Sequence, residues 1–343
     1  MVVFTALRRI GRGTVSMLFE ALFFAGLLTW DLSLAIVNLF TFKRKIGGVT
    51  PKGHPGEGGV WPEYIPPRSV DSRCSCPALN AMANHGIIKR DGRDISFKEL
   101  SGTIRSTYNF SPSFCVFVPR YMAHVLDRSY STGRFDLADI DVHNGIEHDA
   151  SLFRRDVIHQ LHQGLPDGEL VAAFLKSATG PPLKKVTQPT PQKSLPSKES
   201  PYFNIAAHVA KATEDLDVNR TFTSADLSRR LGERRREAKA NNGQYSQSTG
   251  HKLFGSTKYV RLLSFFSPTS YSPVSSFSGS TLLTIFGGRL DDIYTFLTEE
   301  RLPEGWESRI RDQMGLTILA FNRTVFRVEL GIDEEVDQPL NFM

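Results

Sequence analysis

Three cysteines in 343 residues are too few for a disulfide framework, and the chain contains no CxxC pair and no Cys/His cluster with zinc spacing. Folding therefore does not lean on disulfides or structural zinc. Period-2 alternation of apolar residues is scarce as well, and no internal repeat occurs, which argues against a β-sandwich or a solenoid. A strong charge of one sign is also missing: 41 basic and 36 acidic residues leave a net charge of +5. The densest basic run, "RRLGERRREAK" from Arg229 to Lys239, interleaves Glu233 and Glu237, and its spacing predicts a solvated helix face laced by (i, i+4) ion pairs. No aromatic platform or known motif accompanies it, so nucleic acid is not among the expected partners.

What is present is apolar and helical. The length suits one large domain or two small ones, and a single catalytic domain with appendages is the expectation. Residues 13 to 42 form a membrane-seeking segment bracketed by Arg8, Arg9 and Arg12 before it and Lys43, Arg44 and Lys45 after. Glu20 and Asp31 cut it into uncharged runs shorter than the roughly 20 residues that cross a bilayer cleanly. A signal peptide lacks a convincing small-residue cleavage site here. An interfacial or loosely spanning anchor with snorkelling basic flanks fits better, and a helix buried against the domain is the competing reading. The predicted organisation is an anchor over 1–46, a Gly/Pro-rich linker over 47–70 that separates it from the domain, a domain over 71–325 and a tail over 326–343. Within the domain, 177–201 reads as an exposed Pro-rich loop and the Ser-rich "SPTSYSPVSSFSGS" near 267–280 as a second loop. Helical patterns fill the remainder, in "ELSGTIRSTYNF", "SLFRRDVIHQLHQ", "SADLSRRLGERRREAKANN" and "RLDDIYTFLTEERL". Sequons at Asn109, Asn219 and Asn322 suit a lumenal setting, although so short a pattern recurs by chance.

Two of the three cysteines stand one residue apart in "RCSCPALNAMANHG", residues 73 to 86. Pro77 is a residue favoured at the first helical position, which puts Cys76 at the N-cap, with Leu79, Met82 and Ala83 at helical spacing and Gly86 as the stop. A thiol facing free backbone N–H groups and the positive end of a helix dipole is favoured as thiolate, a nucleophile or metal ligand. The alternative is a buried, inert cysteine, and this stretch alone leaves both open. A second cluster lies in "HNGIEHDASLFRRD", residues 143 to 156, at a predicted helix start. On a helix Glu147 and Ser151 share a face, so a carboxylate and a hydroxyl converge on one hard cation, while Asp149 serves either there or as a helix cap.

At these residues the sequence resembles the fungal haem-thiolate peroxidases, the chloroperoxidases and unspecific peroxygenases. "DSRCSCPALNAMANHG" is similar to the segment around that family's "PCP" signature, with Ser75 where the first proline usually stands, and the alignment selects Cys76 over Cys74. "EHDAS", Glu147 to Ser151, resembles the family's acidic signature without a gap, and "FLTEERLPEGW", Phe296 to Trp306, is a weaker third likeness. The resemblance runs from about residue 57 to 310 and implies an all-α, single chloroperoxidase-like helical domain carrying the N-terminal hydrophobic segment. It implies haem b with Cys76 as axial thiolate, contacted by Pro77, Ala78 and Asn80. It also implies Mg²⁺ or Mn²⁺ at Glu147, Ser151 and the carbonyl of His148, with the His148 imidazole toward the distal pocket.

The activity implied is oxidation of a small organic substrate with hydrogen peroxide, in fungal secondary metabolism and on an endoplasmic-reticulum or other secretory membrane. One departure stands out. The family's distal glutamate follows a segment like "KANNGQY", yet no Asp or Glu occurs from Ala238 to Leu290. His251 lies in that stretch, and it and His148 are the candidates for the acid–base role. A haem-thiolate enzyme running a peroxide-independent rearrangement or dehydration, or a non-catalytic haem-binding membrane-tethered protein, are the competing functions.

Overall fold

The computed structural model describes residues 22–143, 146–182, 195–245 and 274–332. Ten helices occur among them. They are α1 (Leu22–Phe40), α2 (Pro77–Asn84), α3 (Phe97–Tyr108), α4 (Pro112–Val125), α5 (Gly168–Lys176), α6 (Phe203–Ala212), α7 (Ser224–Asn241), α8 (Val274–Phe286), α9 (Leu290–Glu299) and α10 (Ile318–Leu330). The described strands are two residues each, β1 (Ile95–Ser96) and β2 (Arg134–Phe135), paired antiparallel with Ile95 opposite Phe135. The protein is all-α, as the scarcity of period-2 patterns implies.

Local chemistry starts most of these helices. Ser96 accepts from the Glu99 amide at the head of α3, Ser111 from Phe114 ahead of Pro112 in α4, and Thr317 from Ala320 in α10. Thr223 and Asp226 close a reciprocal capping box on α7. Helix α3 stops at Asn109, whose φ of 56° turns the chain left-handed. Helices α3 and α4 pack together, α5 lies on α6, and α7 packs against α8 and α10. Trp306 is fully buried at the centre, against Tyr108 and Phe286.

Several elements differ from the sequence reading. Residues 151–163 carry no helix: Ala150 sits at φ 61°, and the segment is fixed by buried charges instead. Asp156 accepts from the Ala150 amide at 2.9 Å, from Arg234 at 2.6 Å and from Asn242 at 3.1 Å. The Ser-rich stretch is helical from Val274 onward. The basic run is not a solvated face, because Arg230, Arg234 and Arg235 are buried, the last bridging to Glu329 of α10 at 2.8 Å. Helix α10 runs past residue 325, where the sequence reading begins a tail. Of the predicted Pro-rich loop, 183–194 lie outside the described residues.

Helix α1 is docked on the domain. Asp31 of α1 is buried and accepts from Ser113 Oγ at 2.5 Å and from the Ile318 and Leu319 amides at 2.9 Å each, so it caps α10. The Gly/Pro-rich stretch does not hold α1 away from the domain. Glu307 accepts from the Gly47 and Thr50 amides, and Trp61 lies against Trp306.

Candidate functional site

One large apolar cavity lies between α2, α3, α4, α8 and α10, walled by residues such as Phe114, Phe117, Leu282, Ile285 and Val325. Cys76 is the one cysteine on its wall, and it is the N-cap of α2 as Pro77 dictates. Cys74 is fully buried behind it. The Leu79 and Ala78 backbone N–H groups point at the Cys76 sulfur and, with Arg154, favour its thiolate; burial outweighs them and pushes the free thiol up. The helix N-terminus thus favours thiolate, as the sequence implies, against the cost of burial. A cation bonded to the sulfur would have to supply the balance.

Behind Cys76 the loop is over-determined by hydrogen bonds. Asn80 accepts from the Cys74 amide at 3.0 Å and donates to the Cys74 carbonyl at 2.7 Å, which places it behind the loop and off the cavity wall. Glu300, in left-handed conformation at the end of α9, is fully buried. Its carboxylate accepts from Asn80 at 2.8 Å, Tyr202 at 2.6 Å and Arg154 at 2.5 Å. Arg154 also donates to the Gln163 carbonyl at 2.6 Å, and Tyr108 to the Ala78 carbonyl at 2.8 Å. Arg154, Tyr202 and Glu300 are the positions that sequence reasoning missed. The available signal was the placement of Arg154 just after "EHDAS" and of Glu300 inside "FLTEERLPEGW", while Tyr202 lies in neither, and nothing in the sequence says that residues 146 apart form a pair.

The second motif reaches the same cavity without a helix. Glu147, His148 and Ser151 all line it, brought together by a turn with an isolated bridge between His143 and Glu147. Burial pushes the Glu147 carboxyl up, while His143, 2.8 Å away, pulls it down. The other Glu147 oxygen, Oε1, is buried without a hydrogen-bond partner. His148 Nδ1 lies 2.8 Å from the Asp149 carbonyl, and since a carbonyl only accepts, Nδ1 carries the proton and Nε2 is left as acceptor. Burial lowers the His148 pKa, which keeps the ring neutral at neutral pH. Among the described lining residues Glu147 is the one carboxylate and His148 the one imidazole. His251 lies outside the described residues. No group of three His, Cys, Asp or Glu arranged to hold a metal occurs among the described residues, so a cation here would need hydroxyl and carbonyl oxygens as well.

A helical protein with a deep apolar cavity, one cysteine on its wall and a Glu–His–Asp turn beside it is the class that fold and site define. The chain belongs to the family described as "Peroxidase, family 2", which it matches over residues 62–311. It is also similar to the chloroperoxidase of Leptoxyphium fumago, 52% identical over 48 residues. That stretch is 14% of this chain and 13% of the relative.

Proposed function

We propose that the protein is a haem-thiolate oxidoreductase that uses hydrogen peroxide to oxidise a small apolar molecule. The observation that carries the reading is Cys76: a thiol at a helix N-terminus, the one thiol on the wall of an apolar cavity. These residues fit haem b. Cys76 would hold the iron, Pro77 and Ala78 border it, and Asn80 with Arg154 and Glu300 fixes the loop. Glu147, with its orphaned Oε1, the Ser151 hydroxyl and the His148 carbonyl would hold Mg²⁺ or Mn²⁺ by hard oxygen donors. Thiolate-ligated haem supplies electron density that favours O–O cleavage.

The chain's own residues do the remainder. Aromatic and aliphatic side chains of α4, α8 and α10 bind the substrate by burial and keep water away. His148 Nε2 takes a proton from peroxide and returns it to the departing oxygen, the role a distal glutamate plays in relatives. The absence of a second carboxylate from the described wall favours, as an alternative, a peroxide-independent rearrangement in the same site. A carbon monoxide difference spectrum of the reduced protein tests thiolate ligation, and turnover of a simple phenolic with peroxide separates the two chemistries. Thiolate spectrum with no peroxide-dependent product would leave the rearrangement standing.

We place the protein on an endoplasmic-reticulum or other secretory membrane, in tailoring of a fungal secondary metabolite. The apolar α1 and the apolar cavity support this setting. Of the three sequons, Asn109 is buried and donates to the Ile310 and Asp312 carbonyls, and Asn322 lines the cavity, which leaves Asn219 as the exposed glycosylation acceptor.

A further inference from the structure

We propose that α1 lies along the membrane surface rather than across it, and that the mouth of the Cys76 cavity opens onto that surface, so that the substrate is a lipid-dissolved apolar molecule taken directly from the bilayer. The proposal rests on the membrane association read above and adds its geometry.

Helix α1 has two apolar faces with different fates. Phe24, Leu27, Asp31 and Leu34, at helical spacing, are buried against the domain. Asp31 is held by three donors, and Asn38 accepts from the Met314 amide and donates to the Gly315 carbonyl, both at 2.9 Å. Crossing a bilayer would require either stripping Asp31 of these partners in hydrocarbon or drawing α4 and α10 in with it. The opposite face is free: Leu28, Trp30, Leu32, Ile36 and Val37 are 40–50% exposed and Phe40 is 84% exposed. A helix covered by protein on one side and apolar on the other satisfies both faces only in the plane of an interface.

The cavity rim continues that plane. Phe117 on the cavity wall meets Phe24 of α1 edge-on, with ring centroids 6.1 Å apart. Leu319, whose amide donates to Asp31, starts an exposed stripe on α10 that continues through Phe326 and Leu330 at i+7 and i+11. Phe326 lines the cavity and is 40% exposed, more than any other described lining residue. Basic side chains border the apolar surface: Lys45 beyond α1, Arg323 and Arg327 beside the stripe, and Arg120 with its guanidinium 4.2 Å from the Phe23 ring. An apolar face rimmed by cations is complementary to anionic headgroups over an acyl layer, which identifies the occupant as a lipid surface.

Trp30 reports the geometry, since Trp306 is buried and Trp61 half-buried. Holoprotein is mixed with phosphatidylcholine vesicles with and without phosphatidylserine, carrying bromines either near the headgroups or near the chain ends. Shallow bromines should quench Trp30 more than deep ones, and phosphatidylserine should tighten binding. Reversing Lys45, Arg323 or Arg327 to Glu should weaken that binding about fivefold per position. In a Trp30→Phe background, Phe326→Trp should be quenched by the same shallow bromines. No vesicle binding at all would overturn the membrane association and this proposal together. Quenching of Trp30 that is strongest with deep bromines would show that α1 crosses, leaving association intact and sinking the orientation. A quenched Trp30 with an unquenched Phe326→Trp would turn the mouth away from lipid and sink the substrate route, as would lipid-independent dimerisation that covers both positions.

Discussion

The two sides of the cavity are built on opposite principles. Behind Cys76, four buried polar side chains, Asn80, Arg154, Tyr202 and Glu300, exchange hydrogen bonds of 2.5 to 2.8 Å and clamp one short loop. The rest of the wall is aromatic and aliphatic, and apart from Tyr108, which bonds the Ala78 carbonyl, the titratable side chains described there are Tyr121, Glu147 and His148. A metal ligand must be held in one place whatever the substrate, so its surroundings are over-determined. A substrate wall needs shape and dryness, and carries few polar groups. The contrast makes the ligand side intolerant of substitution and leaves the chemistry of the other side resting on one imidazole.

The largest effect belongs to the ligand itself. Cys76→Ala should abolish the thiolate signature in the carbon monoxide difference spectrum of reduced protein. Retention of that signature would move the ligand elsewhere and erase the distinction between the two sides.

His148→Ala comes next. Loss of a positioned proton carrier costs about 10² to 10⁴-fold in rate, to be read in peroxide turnover with the haem spectrum unchanged. The pH dependence has a fixed sign. Burial lowers the His148 pKa, so the ring stays neutral and competent through the ordinary histidine range, and turnover falls only as pH drops below it. Stability follows the same direction: the unfolded chain takes up the proton first as pH falls, so the contribution of neutral, buried His148 is lost below the unfolded-state value. A turnover optimum far below that range would mean that a carboxylate does this work.

Glu300→Gln tests the clamp. It leaves Arg154, itself fully buried, without its counter-ion, and breaking one partner of a buried pair costs about 3–5 kcal/mol. Denaturant unfolding should show that loss, and the double variant Arg154→Met/Glu300→Gln should be less destabilised than the two single losses summed. Additive losses would mean that the two residues act independently and that the loop is not clamped by their pair.

How far these parts were legible in the sequence follows the same division. Helix α2 could be read because Pro77 and Gly86 mark its ends, and α3 and α7 because Ser96 and Thr223 cap them locally. Residues 151–163 could not, because Arg154 and Asp156 are held by partners 146 and 78 positions away, and a helical pattern yields to two buried ion pairs. The arginines of α7 misled for the same reason: a basic run reads as solvated until Asp156 and Glu329 are seen facing it. Cys76, Glu147, His148 and Ser151 were legible as neighbours in two short motifs and line one cavity. Docking of α1 hung on Asp31, which the sequence shows as an interruption of an apolar run and the fold uses as the cap of α10.

The smallest effect is the most discriminating, because it concerns a second sulfur two residues from the first. Cys74 is fully buried, its main chain is tied to Asn80 through both N–H and C=O, and its thiol is pushed well up by burial. The thiol adds two weak sulfur contacts, 3.4 Å to Asn80 Oδ1 and 3.7 Å to the Cys76 carbonyl, and the two main-chain bonds to Asn80 do not need it. Cys74→Ala removes one buried sulfur and leaves a small gap, a loss of about 1 kcal/mol in unfolding free energy. The thiolate spectrum should stand unchanged, since Cys76 keeps its place on the cavity wall and the Ala78 and Leu79 N–H groups still face it. Should Cys74→Ala instead shift or abolish that spectrum while the protein remains folded, the sulfur behind the wall would be shaping the ligand. The rigid side would then extend one layer deeper than the hydrogen bonds show.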